Sequence, residues 1–269
     1  MASQSLQNTT VLVTGAAGGL GKAIAAAYLD AGANVAICDI HEARLAETRA
    51  QFEGTGRFLA LTTDITSEEA VDHLVAETVA RFGRLDILVN NAGMMDGFDP
   101  VGDLSKANWD RVLGVNLTGS FLCMKAAVRA FQAQPPPTKT SSDNKFRGLV
   151  IQIGSNASTM GTQSGAAYTV SKHGVAALVK STAGFYGDAG IYAVALMIGA
   201  MQTNIGEGLA VLGGFNQAAY ARSSAATADG ESVADTADVA RYCVFLADAR
   251  IAAGVNGSAI TFNKNWPKQ

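Results

Sequence analysis

The sequence predicts an α/β protein: a doubly wound parallel sheet of about seven strands with helices on both faces. Two features lead to it. Short, continuously apolar runs alternate with longer stretches of helical period, and a glycine-rich turn joins the first apolar run to the first helical stretch. Strands covered on both faces read as unbroken apolar runs, and strand–helix repetition builds right-handed βαβ units.

The strand candidates are Val11–Val13, Val35–Cys38, Phe58–Leu61, Ile87–Val89, Leu149–Ile153, Tyr192–Ile198 and Ala259–Phe262. Helical patterns occupy roughly Leu20–Asp30, Glu42–Phe52, Ser67–Phe82, Lys106–Arg129, Ala167–Ala189 and Thr236–Leu246. The third opens with Thr66-Ser67-Glu68-Glu69, the spacing of a capping box in which the Thr66 hydroxyl and the Glu69 carboxylate take free backbone amides. Three of the five prolines fall together at Pro135–Pro137 and open the polar stretch Thr138–Arg147. This region, about 135–147, reads as a surface loop and not a linker, because the alternation resumes at Gly148. The stretch Gly199–Ser232 follows the sixth strand, so it falls at the carboxyl edge where open α/β sheets bind ligands. No internal repeat is present, and residues 1–269 read as one domain.

Composition narrows the function classes. Apolar residues make up 48% of the 269, enough for a sizeable core, and the formal net charge of −3 leaves no basic footprint for nucleic acid. No uncharged apolar run reaches the ~18 residues of a membrane span, and the first residues lack the pattern of a signal peptide. Cys38, Cys123 and Cys243 form no CxxC pair and read as buried free thiols in a reducing compartment, so the cytoplasm is the expected location. His41, His73 and His173 share no metal-ligand spacing, and no metal is expected.

Thr14-Gly15-Ala16-Ala17-Gly18-Gly19-Leu20-Gly21 lies directly after the first strand and opens the first helix. Glycines there let the backbone approach a pyrophosphate, whose charge faces the helix N-terminus. Asp39 closes the second strand, where a carboxylate accepts hydrogen bonds from both ribose hydroxyls of NAD and repels a 2′-phosphate. The alternative for Asp39 is a plain N-cap of the following helix. Neither Ala16 nor Ala17 carries the cation that would favour NADP, so NAD is the expected cofactor and NADP the lesser alternative.

The spacing Gly15…Gly19…Gly21 with Asn90-Asn91-Ala92-Gly93 after the fourth strand, Asn116 within Val115-Asn116-Leu117-Thr118-Gly119, Ser155 after the fifth strand and Tyr168-Thr169-Val170-Ser171-Lys172 resembles the short-chain dehydrogenase/reductase family, with its TGxxxGxG, NNAG and YxxxK motifs. The resemblance covers essentially the whole chain and implies a Rossmann-type fold. It implies that Asn116, Ser155, Tyr168 and Lys172 form the catalytic set. For the cofactor it implies Gly15, Gly19, Leu20, Gly21, Asp39, Asp64, Ile65, Asn91, Ala92, Gly93, Tyr168, Lys172, Met201 and Thr203, with Asp64-Ile65 at the adenine and Lys172 on the nicotinamide ribose. Asn116 would support a water chain to the lysine; the alternative is that it simply kinks its helix. A homodimer or homotetramer is implied, pairing the helices Lys106–Arg129 and Ala167–Ala189 across twofold axes.

The residues can do the chemistry the resemblance implies. A free phenol, with pKa near ~10, is a poor base at neutral pH. Lys172 follows Tyr168 by one helical turn, so its ammonium is expected to stabilise the phenolate and lower its pKa. Ser155, for which Ser158 is the competitor, would stabilise charge developing on the substrate oxygen. Trp109 reads as a packing residue, while Met94, Met95, Phe98 and Met160 read either as packing or as an apolar substrate wall.

Two stretches depart from the family pattern. Ile198-Gly199-Ala200-Met201-Gln202-Thr203 stands where Pro-Gly is usual, and Asn263-Lys264-Asn265 replaces Asp-Gly-Gly. The leading expectation is an oxidoreductase moving a hydride between NAD(H) and a neutral, moderately lipophilic alcohol or ketone. A non-redox dehydratase or isomerase on the same scaffold and a non-catalytic cofactor-binding regulator are the other readings.

Overall fold

The computed structural model describes residues 5–135 and 145–267. Seven parallel strands are hydrogen-bonded in the order β3-β2-β1-β4-β5-β6-β7. They are β1 Thr10–Thr14, β2 Asn34–Asp39, β3 Phe58–Thr62, β4 Ile87–Asn90, β5 Gly148–Ile153, β6 Ile191–Ile198 and β7 Ala259–Phe262. The order reverses between β1 and β4, and that switch point opens the crevice at the carboxyl ends of the strands. The fold is therefore the predicted Rossmann-like sheet, each strand lying within one residue of its expected start.

Helices cover both faces. On one, α1 (Gly19–Asp30), α2 (Glu42–Phe52) and α8 (Thr236–Leu246) pack Ile24, Tyr28, Leu45 and Cys243 against Val13, Ile37 and Val89 of the sheet. On the other, α3 (Glu68–Phe82), α5 (Ser120–Ala133) and α6 (Ala166–Tyr186) pack Leu74, Ala127, Phe131 and Val179 against Leu12, Leu88 and Val150. Strands β1, β4 and β5 are buried along their whole length, whereas β7 at the edge alternates exposed and half-buried residues. The continuous-burial expectation thus fails most clearly where the sheet ends and one side lacks a neighbour.

Several local expectations are corrected. The cap of α3 is Ser67, whose side chain accepts from the Ala70 amide, while the Thr66 hydroxyl turns back to donate to Asp64 at 2.8 Å. The helix expected over Lys106–Arg129 is α4 (Lys106–Leu113), one π-helical segment at Gly114–Gly119, and then α5. The helix expected to reach Ala189 ends at Tyr186 and tightens into a 3₁₀ turn, Gly187–Ala189. The region 199–232 holds a 3₁₀ segment Asn204–Leu212, α7 (Gln217–Arg222) and a second 3₁₀ turn Ser224–Thr227. A short α9 (Ala249–Gly254), capped by Asp248, has no counterpart in the sequence pattern. Of the expected loop at 135–147, residues 136–144 lie outside the described residues.

Candidate active site

The glycine-rich turn is shaped by close backbone approach. Gly15 takes φ +63°, and a Cβ there would lie 2.7 Å from Ala92 Cα; at Gly21 it would lie 2.5 Å from the Gly15 carbonyl oxygen. Neither site has room for a side chain. Thr14 Oγ1 accepts from the amides of Asn91 and Ala92, both at 3.0 Å. The Asn91 amide group donates to the carbonyls of Thr14 and Gly15 at 2.9 and 3.0 Å. Asn91 therefore holds the turn after β1 to the segment after β4, across the switch point. Asn90 serves the sheet instead, donating to the Ser120 carbonyl and Gln152.

A cavity of about 640 Å³ runs along this carboxyl edge, within the range of ~300–1,000 Å³ typical of small-molecule sites. At one end it is lined by Gly15, Gly19, Leu20, Gly21, Asp39, Asp64 and Ile65, and in the middle by Asn91, Ala92 and Gly93. Ser155, Tyr168 and Lys172 line the other end, and Met201 and Thr203 also border the cavity. All fourteen expected cofactor residues thus lie on one surface. Asp39 accepts from the Ala17 amide at 3.1 Å and the His41 amide at 3.0 Å. It therefore bridges the glycine-rich turn and the entry to α2, and the N-cap of α2 is His41. The cradle that a Cβ would fill, opening on this cavity, fits a nicotinamide dinucleotide.

The end lined by Ser155, Tyr168 and Lys172 is held by α6 and the end of β5. Ser155 caps the 3₁₀ turn Asn156–Ser158, its Oγ accepting from the Ala157 amide at 3.2 Å, while Ser158 Oγ is engaged by the Ser155 amide. Ser155 and Tyr168 both line the cavity. Lys172 Nζ donates to the Ile153 carbonyl at 3.1 Å and lies 5.4 Å from the centre of the Tyr168 ring. The π segment presents Asn116 to the chain after β4: its side chain accepts from the Met94 amide at 2.8 Å and donates to the Met94 carbonyl and Ser171 Oγ at 2.9 and 3.1 Å. The space beside Gly93 brings Asn116 Oδ1 and Lys172 Nζ together, 3.2 and 3.8 Å from the position of a Cβ. A single i→i+5 turn of this kind often marks a functional site.

Burial decides the proton affinities. It pushes the Tyr168 phenol up to about 12; the Ser155 hydrogen bond draws it down and the negative charge of Asp96 pushes it further up. Burial also pulls the Lys172 ammonium down to about 8. The expected lowering of the phenol by Lys172 is therefore reversed among the protein's own groups, because both side chains have left water.

Residues 9–210 match the family model described as short chain dehydrogenase. The chain belongs to the short-chain dehydrogenase/reductase family. It is 43% identical over 267 residues to the short chain dehydrogenase/reductase dpchG of Colletotrichum higginsianum, covering 98% of this chain and 96% of that one. It is 30% identical to 3beta-hydroxysteroid dehydrogenase 2 of Eggerthella lenta, covering 97% and 95%. Among solved structures it resembles a singly substituted actinorhodin polyketide ketoreductase with NADPH at a TM-score of 0.80 and 26% identity, with full coverage of both chains. As a member of this family the protein is an oxidoreductase.

Four further residues of this dehydrogenase/reductase site, Asp96, Arg44, Glu207 and Trp266, were not read from the sequence. Asp96, 1% exposed, accepts from the amides of Phe98, Gly165 and Tyr168 at 3.1, 3.0 and 2.8 Å and from Ser164 Oγ at 3.0 Å. A carboxylate on the first amides of α6 is a charged cap, and it fixes the turn that carries Tyr168. Arg44, in the first turn of α2, pairs with Glu207 at 2.8 Å across the mouth beside Asp39. Trp266 lines the cavity. An aspartate 72 positions before the tyrosine it supports leaves no local signal; Arg44 stands at helical spacing with ordinary surface residues. Phe98, by contrast, is buried against Phe215 and Tyr220 and packs outside the cavity wall. Among the described residues no group of three His, Cys, Asp or Glu side chains is placed to hold a metal, and no helix is long and apolar enough to cross a membrane.

Proposed function

We propose that this chain, acting as one domain around a single sheet, interconverts a neutral alcohol and its ketone with NAD(H). The observation that carries this reading is the convergence of Ser155, Tyr168 and Lys172 at one end of a cavity whose other end is a glycine cradle beside Asp39. When bound, the nicotinamide supplies or takes up the hydride. The chain's own groups handle the proton. In reduction the Tyr168 hydroxyl gives its proton to the substrate oxygen; in oxidation the phenolate receives it. Ser155 donates to the same substrate oxygen as charge develops there. Lys172 holds the ribose and stabilises the phenolate, and Asn116, bonded to Met94 and Ser171, fixes the chain after β4 beside it. A phenol held up to about 12 is protonated at neutral pH, the form that acts as the acid in reduction.

Asp39 favours NAD. A second reading, an NADP-dependent reductase, is favoured by His41 and Arg44, which line the cavity beside Asp39. The site-proximal lining is apolar and sparsely charged, so the substrate is neutral; a relative named for a hydroxysteroid supports a lipophilic one. Exposed Phe121 on α5 and Phe185 on α6 support a homodimer or homotetramer formed across these helices. The three buried free thiols suit a reducing cytoplasm. A panel of neutral alcohols and ketones, followed by the nicotinamide absorbance band with NAD(H) and NADP(H), tests the proposal. Turnover with NAD(H) preferred is the expected result; proton-transfer products without any absorbance change would give the site to a non-redox enzyme.

A further inference from the structure

The two departures from the family pattern meet in space. Strand β6 keeps its ladder with β7 to the end: Ile198 lies opposite Phe262, and the Gly199 amide donates to the Phe262 carbonyl at 3.1 Å. Gly199 packs so tightly on the next residue that a Cβ there would stand 2.8 Å from Asn263 Cα. From Asn263 the chain reverses through Lys264 and Asn265, both left-handed at φ 50° and 58°, a conformation L-residues adopt only when their surroundings hold it.

The reversal delivers Trp266. Its amide donates to the Asn263 carbonyl at 2.9 Å, and its carbonyl accepts from Asn263 Nδ2 at 2.9 Å and Asn156 Nδ2 at 2.7 Å. Asn156 directly follows Ser155, so the turn is tied to the reactive end of the cavity. The indole N–H donates to Thr227 Oγ1 at 3.3 Å. Every polar atom of Trp266 is thereby used, and what this residue, only 8% exposed, adds to the cavity wall is fixed apolar surface.

We propose that Trp266 is a specificity-determining residue, held by the Asn263–Asn265 turn as a rigid wall of the substrate end, and that it selects flat, ring-containing neutral ketones and alcohols over flexible chains. The inference rests on the oxidoreductase reading and names its substrate class. A rigid ring laid on a fixed aromatic surface gains contact and loses few rotors, whereas a chain of equal carbon count must freeze its torsions. The wall carries no charge and no free donor, so it sorts by shape.

The test uses 2-decalone and 2-decanone, which share a carbon count, on the full chain. In Trp266→Ala the KM for 2-decalone rises roughly tenfold, that for 2-decanone changes little, and kcat is retained for both; Trp266→Phe keeps most of the selectivity. The chain has two tryptophans, so Trp109→Phe leaves Trp266 as the sole indole emitter, and its fluorescence responds saturably to 2-decalone. An unchanged preference in a folded Trp266→Ala variant overturns the proposal, as does turnover of 2-decalone with no response from Trp266. A saturable Trp266 response without any nicotinamide absorbance change leaves the wall in place and removes the oxidoreductase reading for these ketones.

Discussion

At the dinucleotide end of the cavity the decisive residues belong to strand–turn–helix geometry; at the substrate end they are joined by side chains reaching far along the chain. Gly15 and Gly21 are demanded by their own turn, where a Cβ would strike backbone at 2.7 and 2.5 Å. Asp96 holds Tyr168 across 72 positions, and Asn156 holds Trp266 across 110. The first kind of construction repeats wherever a pyrophosphate must meet a helix N-terminus. The second has no fixed spacing, so it is free to vary with the substrate.

Lys172 stands on both sides of this division, and its loss has the largest effect. Lys172→Ala is expected to lower turnover by a factor of about 10² or more and to weaken nucleotide binding as well, measured by steady-state kinetics and by titration of nucleotide fluorescence. The same group sets a pH limit. Burial lowers it to about 8, so its ammonium is present below that value and lost above it. Reductive turnover is expected to hold up to about pH 8 and then fall along one ionisation that is absent in Lys172→Ala.

Asp96 tests the long-range construction alone. Asp96→Ala leaves the amides of Gly165 and Tyr168 without an acceptor in a buried place, at a cost of about 1–3 kcal/mol. A lower melting temperature is expected, with reduced kcat and unchanged nucleotide affinity. Equal loss at both ends of the cavity would erase the distinction between them. Asp39 tests the local construction, and more mildly. Asp39→Ser removes the charge facing a 2′-phosphate, and the ratio of NAD to NADP affinity is expected to shrink by about one power of ten; an unmodified protein that binds NADP as tightly as NAD would contradict the role given to this carboxylate.

The same division explains what the sequence could tell. Helices α2 and α8 occupy the residues their periodicity predicts, because packing against a sheet leaves a direct imprint on apolar spacing. The cradle was legible for the same reason that it is rigid: only glycine fits. The π turn was not, since it is stabilised by Asn116 bonding to Met94 and Ser171 rather than by any residue type at i+5. The capping of α3 by Ser67 in place of Thr66 is a one-residue choice made when Asp64 takes the Thr66 hydroxyl. Spacing put Lys172 beside Tyr168 correctly but said nothing of how deeply both are buried, and burial reverses the direction expected for the phenol.

The central claim is that one cavity binds nucleotide at one end and moves a proton through Tyr168 at the other. Tyr168→Phe tests it most directly, with nucleotide affinity and turnover measured on the same preparation. Turnover reduced by a factor of roughly 10² or more, with nucleotide affinity nearly unchanged, is the expected result. A variant that keeps its activity and its pH profile would place the chemistry on another residue.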